Sequence, residues 1–453
     1  MHKHNKCEIS TKRWRVSLKQ FLLGGLILST LVIQGCGSGG SAEPQFESKA
    51  ELGEALFSDV NLSMNRTQSC ATCHNPDAGF ADDRESSLDP GHAFAASLGD
   101  DDVSFGDRNA PTAGYAAFIP EFSNGTRTRN VSGFDDYTGY LGGQFWDGRE
   151  SNLTGQAGGP PTNPIEMGMV DADGNADKAG VVNRLKENAE YISAFESLFD
   201  KNIFDDVDAA YLAMAESIAS FEKTDEFSPF DSKYDLSLEV QNFYPFDSEY
   251  EYSGKAGNGK GLFFNSDLNC AGCHQLKALN GKQEIFTGFE YHNIGVPENA
   301  HLKDIRLSEM SVDTSDDMGL YNNSNVTESG AEKDVLKGKF KVPTLRNVAI
   351  TAPYMHNGVF NKLETVLKFY EHARFRTTDG TGTELYPTNP ETDGEAWGEP
   401  EVAENMSLEL AKIGANVTLD EDTIEELECF LLTLTDAKYE HLLDQAKVDA
   451  CGI

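Results

Sequence analysis

Five residues, Cys70-Ala71-Thr72-Cys73-His74, recur two hundred positions later as Cys270-Ala271-Gly272-Cys273-His274. Two thiols one helical turn apart, followed directly by a histidine, form the attachment sequence for haem c. The sulfurs make thioethers to the two vinyl groups of one porphyrin, and the imidazole lies under the ring as the proximal iron ligand. A single C-x-x-C is equally a structural zinc site or a redox dithiol. Two copies, each with its histidine and both in an exported chain, point to two covalently bound haems.

Export is written in the first residues. Lys3, Lys6, Lys12, Arg13, Arg15 and Lys19 make a basic segment, and the apolar run from Phe21 to Ile33 is short for a membrane span. It ends in Ile33-Gln34-Gly35-Cys36, which looks like a bacterial lipobox. This predicts a signal peptide over residues 1–35, lipid on Cys36, and a flexible tether over 36–48 that includes Gly37-Ser38-Gly39-Gly40-Ser41. Such a chain is periplasmic and held at the membrane by lipid alone. Residue 37 is not aspartate, so lipoprotein sorting rules favour the outer membrane. An ordinary cleaved leader, with Cys36 merely adjacent, is the alternative.

The formal charge is −37, and removal of the basic leader makes the mature chain more negative still. A body this acidic repels nucleic acid and anionic membranes and attracts basic partners such as a small cytochrome. Of the eight cysteines, four belong to the haem motifs and Cys7 and Cys36 to the leader region. Cys429 and Cys451 remain, free to pair in an oxidising compartment.

Gly53-Glu54-Ala55-Leu56-Phe57 before the first motif is echoed by Gly259-Lys260-Gly261-Leu262-Phe263 before the second. This weak internal repeat predicts a mainly α chain of two cytochrome c-like haem domains, 49–235 and 236–453, with long irregular loops. Helical periodicity is clear in Tyr211, Met214, Ile218 and Phe221. It returns in Ile424, Leu427, Leu431 and Leu434, where a Thr418…Glu421 capping box is expected to open the helix. The loops 89–106, 310–337 and 376–415 are longer than packing requires.

The stretch Phe145-Trp146-Asp147-Gly148-Arg149, then Gln156, then Pro164-Ile165-Glu166-Met167-Gly168, resembles the bacterial dihaem cytochrome c peroxidase family, including its MauG-like members. So do Arg108-Asn109-Ala110-Pro111-Thr112 and the run from Phe340-Lys341-Val342-Pro343-Thr344-Leu345-Arg346-Asn347 to Tyr354-Met355-His356-Asn357-Gly358. The resemblance covers nearly the whole mature chain and implies a peroxidase-type oxidoreductase. Hydrogen peroxide would be reduced at the N-terminal haem, with electrons entering through the C-terminal haem from a cytochrome or another small redox protein. The alternative is a MauG-like enzyme that oxidises aromatic residues of a protein substrate through oxidising equivalents shared by both haems. A non-catalytic electron-transfer cytochrome is the third reading, and a homodimer is compatible with the family.

Matched to the family motif, Glu166 is the distal acid, Gln156 its hydrogen-bonding neighbour, and Trp146 the relay between the haems. Asn109, with the backbone carbonyls of Thr351 and Pro353, matches a calcium site between the domains, and such oxygen donors suit a hard cation. His92 is the candidate distal ligand that peroxidases remove on activation. Fourteen residues after His356, where classical peroxidases have an axial methionine, stands Tyr370, as in MauG-like enzymes. A soft thioether raises the haem potential, whereas an anionic phenolate favours ferric and higher states. Met310, Met318 and Met355 are the alternative ligands.

Overall fold

The computed structural model describes residues 46–85, 95–129, 134–240, 254–266, 268–275, 284–311, 315–378, 384–392, 394–414 and 417–453. The leader, Cys36, the Gly/Ser tether and His92 lie outside the described residues. The chain is mainly helical, with two short antiparallel two-stranded sheets among the described residues, Ser123–Arg127 with Tyr137–Leu141 and Tyr291–His292 with Phe340–Lys341.

Each haem-attachment motif is backed by one crossed helix pair. In the N-terminal half, helix Lys49–Phe57 starts at Ser48, whose hydroxyl accepts the N–H of Glu51 at 3.2 Å. Its buried face of Leu52, Leu56 and Phe57 packs on Met214, Ile218 and Phe221 of helix Val207–Phe221. The helices meet at Gly53, where a Cβ would stand 2.0 Å from the carbonyl oxygen of Ser217. In the C-terminal half, helix Gly254–Phe264 crosses helix Glu421–Leu432 at Gly259, where a Cβ would stand 1.8 Å from the carbonyl oxygen of Glu426. Only a residue without a side chain lets either pair close to this distance.

Aromatic rings fill the space beneath each crossing. Phe57 meets Phe221 at 5.5 Å, and Phe80 stacks on Phe227 at 3.9 Å. On the other side Phe263 meets Phe430 at 5.3 Å and Tyr234 meets Phe286 at 5.0 Å. Fully burying one such side chain contributes roughly 1.5–3 kcal/mol, so these helix pairs, and not the short strands, carry most of each core. Phe227 belongs to the first core and Tyr234 to the second, so the chain passes between them within a few residues.

One boundary differs from the sequence expectation. The last long helix is capped by Asp420, whose carboxylate accepts the N–H of Thr423 at 3.0 Å, and not by a Thr418…Glu421 box. The helix begins at Glu421, so an acceptor three residues before Thr423 is in reach and Thr418 is too far back. Leu434 falls just beyond the helix end yet is fully buried with the same core. Cys429 on this helix is disulfide-bonded to Cys451 on the final helix Gln445–Cys451, with Cα atoms 5.4 Å apart. No helix among the described residues is long and apolar enough to cross a membrane.

Candidate functional site

Two open cavities lie beside the attachment motifs, one in the N-terminal half and one in the C-terminal half. Cys70, Cys73 and His74 stand on the wall of the first, and Cys270, Cys273 and His274 on the wall of the second. The four thiols are free of disulfides. Burial pushes the Cys73 thiol up to about 11 and that of Cys270 up to about 12. They therefore stay protonated, and conversion to a neutral thioether leaves no charge buried.

The two histidines are oriented alike. His74 Nδ1 lies 3.2 Å from the carbonyl of Phe80, and His274 Nδ1 lies 3.0 Å from the carbonyl of Phe286. A carbonyl can only accept, so Nδ1 is the protonated nitrogen in each ring and Nε2 keeps its lone pair. Phe80 and Phe286 share a left-handed backbone, with φ of 56° at both, an uncommon conformation for a bulky residue. The repeated backbone conformation turns each carbonyl back onto its histidine. Burial lowers the His74 pKa and brings that of His274 down to about 4, which keeps both imidazoles neutral and fit to ligate iron. The free thiols and the aimed imidazoles on the cavity walls fit haem.

The N-terminal cavity collects three of the family-matched residues. Glu166, Gln156 and Trp146 share its wall with His74. Gln156 is presented by the short helix Leu153–Ala157, capped by Asn152. Glu166 follows a turn in which its N–H bonds the carbonyl of Asn163 at 3.2 Å. Burial, with Asp107 adding, raises the Glu166 pKa, while Arg149 and the Asn163 side chain oppose the shift.

Trp146 lines both cavities. Its carbonyl accepts the N–H of Lys341 at 2.9 Å, which ties it to the strand Phe340–Lys341 of the C-terminal half. Tyr370, on helix Leu363–Thr377, lines the C-terminal cavity, where burial raises its phenol pKa and the thiols of Cys273 and Cys270 add to the shift. Of the methionine alternatives only Met355 also lines that cavity. Met310 instead receives the Phe105 N–H on its sulfur at 3.1 Å, and Met318 is not on the cavity wall.

Asn109 lies on the wall of the N-terminal cavity and bonds to the C-terminal half, its N–H reaching the carbonyl of His356 at 2.7 Å. Its side-chain amide nitrogen is directed to the Ala95 carbonyl at 3.3 Å. The carbonyl oxygens of Thr351 and Pro353 accept no hydrogen bond among the described residues.

Several residues of the sites carried no separate signal in the sequence. Arg108 grips Asp317 through Nε at 2.5 Å and Asp147 through Nη1 at 2.7 Å, joining the two halves. Glu222 is buried on the wall of the N-terminal cavity, and its Oε2 has no hydrogen-bond partner. Lys341 is buried on the wall of both cavities. Arg108 and Lys341 fall inside recognised runs but without a role attached, and Glu222 sits at the end of an otherwise ordinary amphipathic helix.

The description "Di-haem cytochrome c peroxidase" fits the family model that matches residues 47–242. The chain is 42% identical to the methylamine utilization protein MauG of Paracoccus denitrificans, over 92% of this chain and 96% of that protein. It is 31% identical to the cytochrome c peroxidase Ccp of Escherichia coli, over 72% of this chain and 53% of that protein. The crystal structure of the diheme peroxidase BthA from Burkholderia thailandensis superimposes with a TM-score of 0.67 at 27% identity, covering 88% of each chain. With paired haem-binding cavities and these relatives, the chain belongs to the di-haem cytochrome c peroxidase/MauG family and is an oxidoreductase of the peroxidase type.

Proposed function

We propose that this chain is a periplasmic, lipid-anchored enzyme that reduces hydrogen peroxide at the N-terminal cavity with electrons entering through the C-terminal cavity. Bound haem supplies an iron that takes up peroxide and exchanges electrons singly. The observation that carries the reading is the pairing of Glu166 and Gln156 on one wall with His74. Overall, peroxide with two electrons and two protons gives two molecules of water. A carboxyl whose pKa is raised by burial can take the proton from one peroxide oxygen and return it to the leaving oxygen. Gln156, with donor and acceptor on one amide, orients the substrate. His74 and His274 would hold the irons through Nε2, and Trp146 spans the wall between the sites.

A second reading rests on Tyr370. A phenolate on the C-terminal iron disfavours its reduction, which supports storage of oxidising equivalents and their delivery to aromatic residues of a partner protein. The 42% identity to a MauG protein adds weight to it. Calcium is proposed at Asn109, Thr351 and Pro353, since the free carbonyl oxygens and the amide oxygen are hard donors.

Glu166→Gln tests the common step. The variant should keep both haems and lose roughly 10²–10⁴-fold in peroxide turnover, followed as peroxide consumption. Parent-level turnover would put the acid elsewhere.

A further inference from the structure

We propose that Lys341 is a shared binding site for the carboxylates of both cofactors, its ammonium supplying one positive charge to the propionates of the two haems from the wall that the cavities have in common. The inference rests on the dihaem reading above.

Lys341 is 8% exposed and lines both cavities. Among the described residues it is the one lysine or arginine on the wall of the C-terminal cavity. Its Nζ donates to the carbonyl of Gly143, and no carboxylate lies within ion-pair distance of it among the described residues. Asp147, the acid that acts on it electrostatically, is already held by Arg108 Nη1 at 2.7 Å and Arg149 Nη1 at 3.1 Å. The two arginines on the wall of the N-terminal cavity thus have acidic partners, and Lys341 has none.

A buried ammonium without a counter-ion is disfavoured. Burial accordingly pushes this one down to about 7, with Asp147 opposing. The backbone cannot move it away. Lys341 is fixed by its N–H to Trp146 at 2.9 Å and by strand pairing with Tyr291, and the next residue, Val342, bonds Glu290 at 2.8 Å. The missing partner must therefore come from what fills the cavities. Each haem carries two propionate carboxylates, and they are the anions that covalent attachment brings to these two walls. A single cation between them would hold both rings in register and screen one set of carboxylates from the other.

The full-length holoprotein is compared with Lys341→Met and Lys341→Arg. Haem stain and mass first count the haems of the parent, and fewer than two per chain would be a failure of the dihaem reading and not of this assignment. With both haems retained, Lys341→Met should lower the midpoint potentials of both, because each reduced ring loses a nearby positive charge, and Lys341→Arg should restore them toward the parent. Should Lys341→Met fail to fold, Lys341→Gln keeps a donor for Gly143 without the charge and is read the same way, with a shift in the propionate bending bands of both haems by resonance Raman as its second measure. Unchanged potentials with full haem content, or a shift confined to one haem, would overturn the proposal.

Discussion

The indole N–H of Trp146 donates to the carbonyl oxygen of Asn109 at 2.9 Å. Asn109 in turn sends its own N–H to His356 in the C-terminal half at 2.7 Å. The ring that lines both cavities is therefore fixed by a residue proposed to bind calcium and by a bond across the halves. Its orientation, the Asn109 backbone and the relative position of the two cavities are one mechanical unit.

Replacing Trp146 by leucine should keep two haems and slow transfer between them about tenfold or more, a barrier increase of about 1.4 kcal/mol or more. Stopped-flow absorbance, with electrons delivered to the C-terminal haem, measures this. An unchanged rate would remove Trp146 from the path.

Cys70→Ala combined with Cys73→Ala, and Cys270→Ala combined with Cys273→Ala, should each leave one covalent haem per chain, read by haem stain and intact mass. The reason is geometric, since each pair of thiols lines a separate cavity. Full stoichiometry in both variants would sink the attachment assignment.

Tyr370 separates the two functional readings. With its phenolate on the second iron, that haem should be low-spin when ferric and hard to reduce, and Tyr370→Met should raise its potential. In the holoprotein the neighbouring thiols have become uncharged thioethers, so one of the contributions that raises the phenol pKa disappears. If Tyr370→Phe leaves the spectrum and potential of this haem unchanged, the ligand is another residue. Met355 is then the methionine already on the cavity wall.

Burial pushes Glu222 up to about 8, with Lys223 opposing. Its folded pKa lies above the unfolded value, so the native state holds the extra proton and the contribution of this group to stability is fully present below about pH 4. That contribution is lost as pH rises through about 8. Glu222→Gln should therefore raise the thermal midpoint at pH 8–9, by the equivalent of about 1–4 kcal/mol, and change it little near pH 5. Equal midpoint differences at both ends of the pH range would show that the carboxyl ionises without penalty.

The sequence by itself determined the local chemistry. The C-x-x-C-H spacing places two thiols and an imidazole together because one helical turn does so wherever it forms. Helix Val207–Phe221 likewise follows from a local period, with Tyr211, Met214, Ile218 and Phe221 all buried along one face. Gly53 and Gly259 could be seen as a repeat, but their reason is tertiary, a carbonyl on a helix distant in sequence that leaves no room for a Cβ. The same holds for the sites. Glu166 and Gln156 were legible through an ordered run of residues, whereas nothing around Lys341 or Glu222 reveals that each is an ionisable group buried without an ion-pair partner. Burial, left-handed carbonyls such as those of Phe80 and Phe286, and the absence of a partner depend on what the rest of the chain brings near. Only the folded structure decides them.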